Sequence, residues 1–185
     1  MKPLPVQSWE NIRDATVWPN ACLQSGYDRT APISPFSEDC LYLNIFVRSN
    51  TYLNKESRKR PIMIYIHGGS FTNGATAIDM FEPSTIVAMS DVIVVTINYR
   101  LNAFGFIHLS DSEITGNQGL LDQSMALKWV YENAERFGGD KTRITISGES
   151  AGAWSAGFHM FYPNSWPYFR NIIMESGTPS GPSNS

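Results

Sequence analysis

A serine with glycines two residues to either side stands at Gly148-Glu149-Ser150-Ala151-Gly152. A serine hydroxyl accepts an acyl group when the backbone presents it openly and a base removes its proton. The residues before it, Arg143 to Ser147, read as a strand, and those from Ser150 to about Tyr162 as a helix that Pro163 prevents from continuing. Strand, Gly-x-Ser-x-Gly and helix together describe a nucleophile elbow, a tight turn that lifts the serine above a sheet. Gly148 and Gly152 are then required, because side chains there would collide with the neighbouring strand and helix. The helix N-terminus also favours negative charge developing beside Ser150. The bare motif is weak, since at roughly 7% each for Gly and Ser it arises by chance in ~6% of chains this long. The flanking elements carry the reading.

A second feature lies upstream. Ile62–Ile66 is a short, nearly continuous β-branched run that ends in His67-Gly68-Gly69-Ser70-Phe71. Small residues let that turn approach a substrate closely, and its backbone N–H groups, with that of Ala151, can cradle an oxyanion. Alone, a strand ending in Gly-Gly is an ordinary tight turn; upstream of a nucleophile elbow it reads as an oxyanion loop. The base is harder to find. A serine nucleophile needs a histidine oriented by a carboxylate, in the chain order serine, acid, histidine. After Ser150 the sequence holds only Glu175 and His159, which is the reverse order. His159 lies nine positions along the same helix and is assigned a packing or surface role. His67 belongs to the oxyanion turn and His108 to a loop. These residues alone do not complete a triad.

The elements that must position this chemistry alternate in type. Strands are expected at Leu41–Val47, Ile62–Ile66, Val92–Ile97, Arg143–Ser147 and Asn171–Met174, with residues 1–40 irregular. Leu121, Met125 and Trp129, with Ala126, Val130 and Phe137 on the adjoining stripe, predict an amphipathic helix over Leu120–Phe137, stopped by Gly138-Gly139. Strand and helix in alternation imply an α/β fold with a mostly parallel central sheet. The length of 185 residues suits one domain, 1–185. A net charge of −3 without a basic face excludes a nucleic-acid partner. The one basic cluster, Lys55, Arg58, Lys59 and Arg60, reads as a solvated loop. No stretch reaches the ~18 apolar residues of a membrane span, and the start has no apolar region of a signal peptide. Cys22 and Cys40 are either a short disulfide loop or two buried thiols.

Taken in order, several segments resemble the type-B carboxylesterase and cholinesterase family of α/β-hydrolases. They are Pro19-Asn20-Ala21-Cys22-Leu23-Gln24, Ser37-Glu38-Asp39-Cys40-Leu41-Tyr42-Leu43-Asn44, His67-Gly68-Gly69-Ser70-Phe71, Asn98-Tyr99-Arg100, Gly116 to Gln123, and Gly148 to Gly152. The resemblance covers nearly the whole chain. It implies a partial α/β-hydrolase fold with helices on both faces of the sheet, lacking N-terminal strands and everything after roughly the first third, including the acid and the histidine. It implies carboxylic-ester hydrolysis through an acyl-serine on Ser150, with Gly69, Ser70 and Ala151 as oxyanion donors, a small-molecule ester as substrate, and no metal or cofactor. It also implies a Cys22–Cys40 disulfide, hence an exported protein, and a buried Arg100–Asp122 ion pair. Glu38 is expected to be under-partnered, because its family partner belongs to the lacking N-terminal part. This sequence departs from the family at Ser70, where glycine is usual, and at Trp154, where a small residue is usual and a tryptophan would either narrow the acyl pocket or pack beneath it. The Leu23–Asp39 loop lacks the tryptophan with which the cholinesterase branch binds a quaternary ammonium, so a choline ester is not favoured. The alternative function is a catalytically silent adhesion module of the same superfamily, which typically lacks the serine.

Overall fold

The computed structural model describes residues 1–25, 34–49, 58–78, 82–112 and 114–180. Among the described residues seven strands are formed: β1 (Ala21–Cys22), β2 (Phe36–Ser37), β3 (Leu43–Phe46), β4 (Arg60–Ile66), β5 (Ile93–Ile97), β6 (Gly139–Glu149) and β7 (Asn171–Glu175). Helices α1 (Ser84–Met89), α2 (Asn102–Phe106), α3 (Gln118–Asn133) and α4 (Ala151–His159) lie between them. The main sheet has the order β3-β5-β4-β6-β7. Every pairing in it is parallel except that of β3 with β5. This is the mostly parallel sheet of a partial α/β-hydrolase fold.

Register explains where the core sits. Ile62, Ile64 and Ile66 of β4 stand level with Ile93, Val95 and Ile97 of β5, and Ile62 and Ile64 stand level with Ile144 and Ile146 of β6. Because side chains alternate across a strand, these residues share one face. They form a continuous apolar layer with Leu127 and Val130 of α3 and Ala156 of α4. β5 is buried along its whole length, which is why its sequence is an unbroken β-branched run.

The helices differ from the expected ones in instructive ways. α3 begins at Gln118 and passes at Ala134–Phe137 into a 3₁₀ turn that stops at Gly138, whose φ is 83°. Its fully buried residues are Gln118, Gly119, Asp122, Gln123, Leu127 and Val130, while Leu121, Met125 and Trp129 are only half-buried. The deepest line of this helix is therefore partly polar. Hydrophobic spacing does not reveal it, because Asp122 and Gln123 are buried with partners supplied by distant residues. α4 ends at His159, three residues before the expected limit, and Pro163 opens a separate 3₁₀ turn over Pro163–Tyr168. Residues 1–40 hold the parallel β1–β2 pair, too short at two residues each to leave a periodic signal.

The basic cluster is not a uniform solvated loop. Arg58 and Lys59 are exposed, but Arg60 is buried at the start of β4, and its Nε is 2.5 Å from Asp91 Oδ1. The strand begins before its apolar run, as Arg60 pairs with Gly139, and that pulls the guanidinium inward. Lys55 lies outside the described residues.

Candidate active site

The ends of two adjacent parallel strands bring the candidate residues together. Ile66 of β4 stands level with Gly148 of β6, so the turn after β4 and the elbow after β6 leave the sheet side by side. Ligands of open parallel sheets bind at this carboxyl-terminal edge.

Ser150 occupies the sharp turn between β6 and α4 with φ 54° and ψ −121°, a conformation non-glycine residues rarely adopt. Its N–H donates to the Glu175 carbonyl at 2.9 Å, and its own carbonyl accepts from the Trp154 N–H at 3.0 Å. The elbow is thus pinned by the end of β7 on one side and by the first turn of α4 on the other. The glycines are sterically obligatory. A Cβ on Gly152 would lie 2.0 Å from the Ile66 carbonyl oxygen, and one on Gly148 would lie 2.3 Å from the Gly152 carbonyl carbon. A Cβ on Gly68 would lie 3.3 Å from Ser150 Cβ, which measures how closely the turn after β4 approaches the serine.

That turn is left-handed at successive residues: φ is 100° at Gly69, 54° at Ser70 and 62° at Phe71. The Gly69 carbonyl accepts from the N–H groups of Thr72 and Asn73 at 2.9 and 3.0 Å, which closes the turn. Ser70 is exposed and Ala151 is buried at the first position of α4. The Phe71 ring packs against Tyr99, Phe106 and Trp154, the last at 6.2 Å between centroids. Trp154 also meets the loop after β7, since a Cβ on Gly177 would lie 2.8 Å from its Cδ1.

Behind the turn stands a layer of polar residues, each with a fixed duty. His67 is buried, its ring stacked 4.4 Å from Tyr99 and its Nδ1 2.9 Å from the Gly68 carbonyl. Burial lowers its pKa to about 4, so it is neutral at pH 7. The Tyr99 hydroxyl donates to the His67 carbonyl at 2.9 Å. Asn98 donates to the carbonyls of Asn20 and Cys40 and accepts from the Thr76 N–H. Gln24 bonds both the carbonyl and the N–H of Gly74, at 2.9 Å each. Sequence reasoning missed the duties of Gln24 and Asn98. Neither shows in periodicity, although Asn98 sits directly after a buried strand, where a polar side chain must find partners.

Cys22 and Cys40 form a disulfide with Cα atoms 4.9 Å apart. Arg100 and Asp122 form a bidentate pair, Nε to Oδ2 at 2.8 Å and Nη2 to Oδ1 at 2.6 Å, and the Arg100 N–H also donates to Oδ2 at 3.1 Å. Because α3 starts at Gln118, Asp122 falls in its second turn. The helix-dipole contribution expected for a first-turn acid is therefore weak, and the guanidinium and backbone N–H hold the carboxylate. Glu38 is exposed and makes no side-chain hydrogen bond or ion pair among the described residues. His159 is buried and bonded to Gln123 and Ser165. The Tyr65 hydroxyl has its pKa raised to about 12 by burial and by the charges of Glu149 and Glu175. A cavity of about 460 Å³ lies elsewhere, between the disulfide, Leu101, Phe104 and Gln118, and contains none of Gly69, Ser70, Ser150 or Ala151. Among the described residues no group of His, Cys, Asp and Glu is placed to hold a metal ion, and no helix is long and apolar enough to cross a membrane.

The model of the carboxylesterase family matches residues 1–184. The chain belongs to that family. It is similar to Acetylcholinesterase 1 of Caenorhabditis briggsae, 41% identical over 190 residues that cover 98% of this chain and 30% of that protein. It is 40% identical to Acetylcholinesterase of Gallus gallus over 97% of this chain and 24% of the relative. It is 43% identical to Cocaine esterase of Oryctolagus cuniculus over 94% of this chain and 34% of the relative. This carboxylesterase-family chain thus spans about a quarter to a third of the length of these curated relatives.

Proposed function

We propose that Ser150 is the nucleophile of a carboxylic-ester hydrolase acting on a small-molecule ester. The observation that carries the reading is the juxtaposition at the sheet edge, where Ile66 and Gly148 are level and Gly68 abuts Ser150. Ser150 Oγ attacks the ester carbonyl carbon while a base takes its proton. The N–H groups of Gly69, Ser70 and Ala151 stabilise the negative oxygen that forms, a contribution of about 3–4 kcal/mol per donor in a serine protease. Collapse expels the alcohol, which takes the proton, and leaves an acyl-serine that water hydrolyses by the same steps. His159 is not that base, since both its ring nitrogens are engaged by Gln123 and Ser165. His67 is not either, because its Nδ1 bonds the Gly68 carbonyl and the ring is buried against Tyr99. The base and its carboxylate come from outside these 185 residues, and the chain is one incomplete domain that is inactive by itself.

The relatives are named for acetylcholine and cocaine esters. We assign this chain a non-choline ester, because residues 23–39 carry no tryptophan to face a quaternary ammonium. Trp154, beside Phe71 and one turn beyond Ser150, narrows the acyl side. The disulfide supports maturation in an oxidising, exported compartment. A silent binding module is the competing reading, and the retained serine in a strained elbow argues against it. The test compares this chain with the same chain in a protein of its relatives' length, using a chromogenic short-chain ester. Only the long form should turn over. Steady turnover by the 185 residues alone would contradict the missing base, and a silent long form would favour the binding module.

A further inference from the structure

A buried polar ring links α3, α4 and the 3₁₀ turn at Pro163–Tyr168. The Gln123 side chain, wholly buried, donates from Nε2 to Ser155 Oγ at 3.1 Å, and its Oε1 lies 3.1 Å from His159 Nε2. Ser155 and His159 are one turn apart on α4, so one amide grips the nucleophile-bearing helix at two levels. The other ring nitrogen, Nδ1, lies 2.9 Å from Ser165 Oγ, which is 3.0 Å from Ser124 Oγ on α3. Apolar contacts alone are tolerant of small slides and rotations. Two hydrogen bonds from one rigid amide to consecutive turns fix both.

The donor pattern is satisfied by a neutral imidazole. Gln123 Oε1 can only accept, so Nε2 of His159 carries the proton, and Nδ1 accepts from the Ser165 hydroxyl. A second proton would place a cation where no carboxylate of the described residues answers it. The groups facing the ring are Gln123 and Ser124 from α3, Ser165 from the 3₁₀ turn and Ser155 from its own helix, none of them charged. Asp122, beside Gln123, is turned to Arg100, and the Tyr162 hydroxyl accepts from Asn164. Burial alone lowers the His159 pKa to about 4, with no charged neighbour contributing. Water is close by, since His159 is the last residue of α4 and Met160 and Phe161 beyond it are exposed.

We propose that Gln123 and His159 form a latch that positions the nucleophile helix, and that the latch opens when the imidazole takes up a second proton. Its catalytic meaning rests on Ser150 being the nucleophile; its physics does not. In the open form the charged ring swings to water with the last turn of α4, and Ser155 loses the amide that fixed it.

The experiment is hydrogen–deuterium exchange of the intact protein from pH 7 to pH 4, corrected for intrinsic exchange, with β4 and β5 as internal controls. For a group at about 4 when closed and near 6.5 when open, opening becomes tenfold more frequent per pH unit lost between those values. Protection of Ala151–His159 should fall with that slope and ahead of β4 and β5, which lose protection only as the whole protein unfolds. His159→Gln removes the proton site and should flatten the slope. Gln123→Glu sets a carboxylate against the ring, so it should retain or raise protection on acidification, and it serves also if His159→Gln does not fold. A wild-type slope that is flat, or that persists in either variant, overturns the latch. Labelling of Ser150 by a fluorophosphonate at pH 7.5 is read separately; its failure would sink the esterase reading and leave the exchange result standing.

Discussion

At the scale of single residues, strain and clearance decide what may be exchanged. Ser70 holds φ 54° in a turn where glycine would be at ease. Relief of a left-handed side-chain residue is worth about 1–2 kcal/mol, and the added freedom of glycine in the unfolded chain takes back roughly 0.5–1 kcal/mol. Ser70→Gly should therefore stabilise the protein slightly, by about 0.5–1 kcal/mol in urea unfolding. A loss of stability would mean that the hydroxyl makes a contact worth more than the strain. Gly152→Ala is the opposite case. Its Cβ would sit 2.0 Å from the Ile66 carbonyl oxygen, which belongs to the backbone of the central strand and cannot step aside. We expect a loss of more than ~3 kcal/mol, at the upper end for overpacking, seen as a protein that expresses poorly or melts far earlier. A neutral Gly152→Ala would show that the elbow is looser than this geometry states.

At the scale of elements, α3 is held by a charge as much as by oil. The Asp122 carboxylate is wholly buried against Arg100, and removing one partner of such a pair costs roughly 3–5 kcal/mol. Asp122→Leu, measured by thermal or urea unfolding, should cost that much, whereas replacing both partners with apolar residues should recover part of it. Equal losses in the single and double variants would contradict the pairing argument. The strands of the main sheet were legible in sequence because buried parallel strands favour β-branched residues, unbroken at Ile93–Ile97 and alternating with Met63 and Tyr65 at Ile62–Ile66. The elbow was legible because Gly148 and Gly152 admit no substitute at their clearances. The polar positions were not. Gln123, Gln24 and Asn98 acquire their duties from partners 22 to 78 residues away, and no local pattern records such pairing. Arg60 was misread for the same reason, since Asp91 draws it inward from a distance of 31 residues. The short helices α1 and α2, six and five residues long, carry too few turns to show a period.

At the scale of the whole molecule, two buried histidines and one disulfide set how conditions act on stability. His67 and His159 are both held near 4 by burial, against an ordinary value of about 6.5. Unfolding frees both rings to bind protons, so between about pH 6.5 and pH 4 the unfolded chain carries more protons than the folded one. Stability should fall as pH falls through that window, by up to ~1.4 kcal/mol per pH unit for each ring, and should be unaffected by these groups above it. Unfolding titrations at pH 7, 6 and 5 read this directly; equal stabilities would contradict the burial of both rings. Reducing the Cys22–Cys40 bridge frees a loop of 18 positions and should lower stability by about 3 kcal/mol. The claim on which the functional account turns is that the sheet edge presents Ser150 as a nucleophile. It is met most directly by treating the protein, at the length of its relatives, with a fluorophosphonate and mapping the adduct by mass spectrometry. The account predicts one adduct, on Ser150, absent from Ser150→Ala; an unlabelled protein that is otherwise folded, or an adduct on another residue, would contradict it.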